Sequence, residues 1–165
     1  MGLFRAIATV GGFTLISRIL GFARDILIAA ILGAGALADV FFVAFKFPNL
    51  FRRLFAEGAF NAAFVPIFTG INETNGKESA RDFAEEALSG LFWVLLVFIA
   101  VVEIAMPLVM LAFAPGFTSE PEKFELAVWL TRITLPYLLF VSLVSLMGGV
   151  LNSLNRFAAA AATPI

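Results

Sequence analysis

The sequence predicts an all-α, polytopic transmembrane helix bundle. Of its 165 residues 61% are apolar, 14% are charged and 20 are Phe. A soluble domain of this length is about half apolar and about a quarter charged. One small core cannot hide so many apolar side chains, so the surplus faces lipid or a larger protein body. The apolar residues fall into four stretches, each long enough for the roughly 20 helical residues that a bilayer core demands. No strand-like alternation appears among them, which argues against an outer-membrane barrel.

The same composition narrows the chemistry. The net charge of −1 gives no global basic field for nucleic acid. The absence of Cys and His removes thiolate nucleophiles, the commonest metal ligands and the usual general base. No metal and no cofactor are expected. An enzyme on this chain would run on carboxylates, lysine and arginine.

The first helix is expected over 4–32, ending at the turn signal Gly33-Ala34-Gly35. Its start resembles a signal peptide, and Ala36-Leu37-Ala38 has the look of a cleavage site. Arg18, Arg24 and Asp25 interrupt the apolar run, however, and secretory signals are continuous there. The second helix is expected over 37–71, with Pro48 and Pro66 as kink points. A polar loop follows at residues 72–78, and Ser79 with Asp82 marks the start of the third helix, 79–113. Glu103 and Pro107 are its only interruptions beyond Ala87, and Pro107 reads as a kink. Ser119-Glu120-Pro121-Glu122 has capping-box spacing and opens the fourth helix, 120–155. Residues 158–165 begin a further apolar element. The whole of 1–165 therefore reads as a partial N-terminal lobe of a larger membrane protein.

Orientation follows from the short polar segments. With the N-terminus in the cytoplasm, Arg5, Lys77, Arg81 and Arg156 lie inside and Lys123 alone lies in an outer loop. That asymmetry favours a cytoplasmic N-terminus.

The charges inside the first two stretches carry the functional signal. Between Phe13 and Leu32 there are eleven Phe, Leu or Ile residues, which favour insertion by about 3–7 kcal/mol in total. Arg18, Arg24 and Asp25 oppose it by up to about 8–10 kcal/mol if all sit centrally. A lone lipid-facing span is thus near break-even, and these charges belong against protein or a watery cavity. The second stretch adds Asp39, Lys46, Asn49, Arg52, Arg53 and Glu57. Asp39, Lys46 and Arg53 recur every seven residues on one helix face. Glu57 stands four residues beyond Arg53 and can pair with it. Arg52 projects about 100° away and has no acid three or four positions off. Its partner is either Asp25 or a ligand. A purely structural reading has these charges locking helices together, with long side chains reaching toward the interfaces. The functional reading is a guanidinium-rich cavity. Arginine forks phosphate oxygens and stays charged at any physiological pH, so such a cavity suits an anionic, phosphate-bearing substrate.

Other features have simpler readings. Gly11, Gly12 and Gly21 suit either a bend at a cavity or close helix packing. Ala29 with Gly33, and Ser145, Gly149 and Ser153, are small-residue packing faces. Trp93, Trp129 and Tyr137 fit interfacial anchors. Glu103 is protonated, paired with a group beyond this lobe or near the surface.

Ser17-Arg18-Ile19-Leu20-Gly21-Phe22-Ala23-Arg24-Asp25 resembles the first-helix signature of the MurJ (MviN) lipid II flippases. The run from Asp39 through Lys46-Phe47-Pro48-Asn49, Arg52-Arg53 and Glu57-Gly58 to Phe60 is similar to the second. Phe64-Val65-Pro66, Ala114-Pro115-Gly116-Phe117 and Leu151–Phe157 fit the same family in order. The resemblance implies a multi-pass bacterial inner-membrane protein of two lobes in the multidrug/oligosaccharidyl-lipid/polysaccharide exporter superfamily. It implies lipid II as substrate, moved from the inner to the outer leaflet by alternating access, with a membrane potential or coupling ion as the energy source. It also implies substrate-binding roles for Arg18, Arg24 and Arg52. Asp25, Asp39, Asn49, Arg53 and Glu57 would then support or gate the site. The alternatives are an exporter of another lipid-linked oligosaccharide, a membrane enzyme acting on polyprenyl phosphates, or a scaffold subunit whose charges only pair with each other.

Overall fold

The computed structural model describes residues 3–33, 35–53 and 59–154 of the chain. Among these there is helix and no strand. The helices are α1 (Leu3–Leu32), α2 (Ala36–Arg52), α3 (Ala59–Thr74), α4 (Gly76–Ile104), α5 (Met106–Phe113), α6 (Pro121–Thr134) and α7 (Tyr137–Ser153), with a 3₁₀ turn at Pro115–Ser119 between α5 and α6. Among the described residues two runs are long and apolar enough to cross a bilayer, Gly76–Ile104 and Pro121–Ser153. The protein is an all-α membrane helix bundle.

Two glycines set the reversals. Gly33 has φ +63°, and its amide bonds the Ala29 carbonyl at 3.0 Å. That left-handed step closes α1 without a Cβ clash. Gly76 has φ +88° and turns the chain between α3 and α4. The polar stretch expected at 72–78 is consequently mostly helical, with Asn75 alone between the two helices.

Proline shapes the other breaks. The apolar run expected over 79–113 divides at Ala105, two residues before Pro107. The run expected over 120–155 divides at Leu135-Pro136. The stretch expected over 37–71 appears as α2 and α3, with residues 54–58 outside the described part.

Packing joins α2 to α6, α3 to α4 and α7, and α5 to α6. Val40, Leu95, Met106, Met110, Leu135, Leu138 and Leu146 are buried at the centre. Phenylalanines line one face of α2, where Phe47 and Phe51 stand four residues apart with ring centroids 5.1 Å from each other. Phe47 packs edge-on against Phe113 of α5, with ring centroids 5.4 Å apart, and Phe51 meets Phe98 of α4 at 5.0 Å. The opposite face of α4 carries Trp93, Val97, Val101 and Ile104, all exposed. A helix that is apolar on both its buried and its exposed face is built for lipid.

α1 stands apart from this body. Its Leu15, Ile19, Phe22, Leu27 and Ile31 are all exposed, and its packing against α2 is slight.

Candidate functional site

α1 carries Arg18, Arg24 and Asp25, all exposed. Arg24 donates from Nε and Nη2 to one oxygen of its neighbour Asp25, at 3.1 and 2.9 Å. Adjacent residues point about 100° apart on a helix, so only the long arginine can fold back to make this fork. Both side chains remain more than 60% exposed. The pair therefore holds Arg24 in place without removing it from contact with a partner.

α2 carries the rest. Asn49 and Arg52 are three residues apart on one face, and Arg52 Nε donates to Asn49 Oδ1 at 3.0 Å. Both are partly buried. The amide oxygen orients the guanidinium without itself offsetting the charge, because Asn is neutral. Pro48, wholly buried, sits immediately before Asn49. Beside them lies a cavity of about 120 Å³ lined by Phe45, Pro48, Asn49, Thr134 and Tyr137.

The other sequence-predicted residues lie elsewhere on α2. Lys46 and Arg53 are exposed. Asp39 lies in the first turn of α2, where its carboxylate accepts from Lys123 Nζ at 3.0 Å. Lys123 belongs to the first turn of α6 rather than to a loop. Its ammonium also stands 4.6 Å from the centre of the Phe117 ring. Glu57, the expected partner of Arg53, lies outside the described residues. The structure thus brings Arg24 to Asp25 and Arg52 to Asn49, and it takes Asp39 to α6 instead of along its own face.

Glu103 is not alone. Its carboxylate is 3.8 Å from Arg132 Nε, and the same Nε donates to the Glu103 backbone carbonyl at 3.2 Å. Sequence reasoning passed over Arg132 and misplaced Lys123. The signal that could have found them is the cost of a lone charge in an apolar run, which demands a partner on another helix. Among the described residues no cluster of carboxylates is arranged to hold a metal ion.

Comparison with known proteins adds what geometry leaves open. Residues 28–165 match the family model described as lipid II flippase MurJ. The chain is 57% identical over its whole length to a protein of Rhizobium tropici named probable lipid II flippase MurJ. It is 49% identical to one of the same name from Rhizobium meliloti, and 44% identical to the lipid II flippase MurJ of Burkholderia cenocepacia. In each case the whole of this chain is covered, and it spans about a third of the relative's length (31%, 31% and 32%).

Proposed function

The chain belongs to the lipid II flippase MurJ family, and from that premise we propose that it forms the N-terminal portion of a lipid II flippase. The substrate is the undecaprenyl-pyrophosphate-linked peptidoglycan precursor. It passes from the inner to the outer leaflet of the bacterial cytoplasmic membrane, without covalent change, as two lobes rock around a central cavity. The N-terminus and the α3–α4 turn lie in the cytoplasm, as the Lys/Arg asymmetry supports.

One observation carries the reading. The described side chains of α1 and α2 include Arg18, Arg24, Lys46 and Arg52 against Asp25 and Asp39, and Asp39 is engaged by Lys123. That leaves a cationic surplus on membrane helices, and such a surplus is costly at membrane depth unless an anion visits it. A pyrophosphate is the anion that guanidinium groups fork best. Arg18, Arg24 and Arg52 bind it. Asn49 holds Arg52 at the right angle, Asp25 does the same for Arg24, and Asp39 belongs to the outer end of the bundle, where α2 meets α6. Arg53 and Glu57 have supporting roles. A membrane potential or a coupling ion supplies the energy.

The test is reconstitution of the full-length flippase in vesicles loaded with lipid II. Lipid II reaching the opposite leaflet is detected with an impermeant lipid II-modifying enzyme. Protein-dependent movement is the expected result. Movement of a neutral polyprenyl lipid at the same rate would sink the phosphate-recognition reading.

A further inference from the structure

Pro48 and Pro107, like Pro66 inside α3, remove amides that would have closed helical hydrogen bonds. Pro48 in α2 leaves the carbonyl of Ala44 without its usual donor four residues on, and Pro107 does the same to the carbonyl of Glu103. In lipid there is little water to take the place of those amides, and an orphaned carbonyl is costly. Both carbonyls are met from α6, the Glu103 oxygen in addition to a contact from the Ala105 amide at the end of its own helix. Thr134 Oγ1 lies 3.0 Å from the Ala44 oxygen and 3.1 Å from the Thr131 carbonyl of its own helix. Arg132 Nε donates to the Glu103 oxygen at 3.2 Å. The two donors are two residues apart, and they serve two different helices.

We propose that Arg132 and Thr134 of α6 are positioning residues, replacing the amides missing at Pro107 and Pro48 and thereby fixing where Arg52 stands. The path to Arg52 is short. Ala44 and Pro48 belong to the turns immediately before Asn49, whose side chain accepts from Arg52. The break at Pro107 lies in the chain between Phe98 and Phe113, the rings that pack against α2 at Phe51 and Phe47. A guanidinium that must fork a phosphate tolerates little misplacement. The effect on transport rests on the flippase reading. The capping itself does not.

The experiment uses the full-length protein in nanodiscs. Thr134→Val keeps the shape and removes the donor, whereas Thr134→Ser keeps the donor and trims the shape. Expected are faster amide exchange over residues 44–53 and roughly tenfold slower lipid II movement in Thr134→Val, with Thr134→Ser close to the parent. If only packing mattered, the ranking would reverse, and that result would overturn the proposal. Arg132→Met is expected to speed exchange over residues 103–110 and to slow transport similarly. Pro107→Ala restores the amide, so Arg132→Met in the Pro107→Ala background should recover both. Pro107 is exposed, so this change leaves no cavity. Unchanged exchange in both Thr134→Val and Arg132→Met overturns the capping. Recovered exchange without recovered transport overturns the positioning role and assigns Arg132 to the substrate directly. If the parent protein moves no lipid II, the exchange data still decide the capping while the flippase reading fails by itself.

Discussion

Lys123 reaches across 84 residues of sequence to hold Asp39, and in doing so ties the start of α6 to the start of α2. The Lys123 side chain is only 14% exposed while Asp39 is 61% exposed. The pair is thus half in solvent, and its contribution is that of a partly screened interaction, about 0.5–1 kcal/mol.

Lys123→Glu sets a like charge against both Asp39 and Glu120, which already stands 4.0 Å from the ammonium. It is expected to lower the thermal midpoint of the full-length protein by a few degrees. The exchanged pair, Asp39→Lys with Lys123→Glu, should regain most of the loss. Thermal unfolding in detergent with membrane abundance measured alongside checks this. No recovery in the exchanged pair would mean that the two ends are joined by packing and not by charge.

Arg52 and its neighbour Arg53 carry equal charge but different surroundings, so they should behave differently. Arg18→Ala, Arg24→Ala and Arg52→Ala are each expected to cut lipid II movement by about 10- to 100-fold, since a charged hydrogen bond contributes about 1.5–3 kcal/mol. Arg53→Ala should keep most activity. Arg52→Lys should recover only part, because it keeps the charge and loses the fork. Complementation of flippase-depleted cells at equal membrane abundance measures all five.

Asn49 supplies an acceptor and little else. Asn49→Gln retains a neutral amide oxygen for Arg52 and should preserve membrane abundance and much of the transport. Asn49→Leu removes the acceptor and is expected to slow transport about 10- to 100-fold at unchanged abundance, as for a hydrogen bond to a charged group. Lipid II movement by the two purified variants separates them. Equal activity would show that the Asn49–Arg52 contact does not orient the guanidinium.

The orientation is open to a direct test because this chain has no cysteine. Ala36, Asn75 and Ser119 are exposed at three different turns. In a full-length background cleared of any other cysteines, a cysteine at residue 36 or 119 should react with a membrane-impermeant thiol reagent applied from outside the cytoplasmic membrane. A cysteine at residue 75 should not. Labelling confined to residue 75 reverses the topology.

The helical class and its membrane setting were legible from apolar content and stretch length alone. So was Pro107 as a kink, because the missing amide is a local fact. The pairings were not. Asp39 shares a heptad face with Lys46 and Arg53, and local spacing grouped the three together. The structure gives Asp39 to Lys123, and Glu103 to Arg132. Both partners lie on α6, and no periodicity within α2 or α4 can reveal which helix packs beside it. The turn at Gly76 was missed for a different reason. A stretch rich in Asn, Glu and Lys looks like a loop, yet a single left-handed glycine reverses the chain there and leaves those side chains on helix ends.

The bond between Thr134 and the Ala44 carbonyl spans 90 residues, and a chain grows in one direction. At the usual pace of about 5–20 residues per second, α2 exists for roughly 5–20 s before the hydroxyl that completes it has been made. During that interval the Ala44 carbonyl must find water or another donor, and the translocation machinery or the bilayer edge is where it can do so. The final seat of α2, and of Arg52 with it, is therefore taken late, after α6 has been synthesised, and not in the order in which the helices emerge.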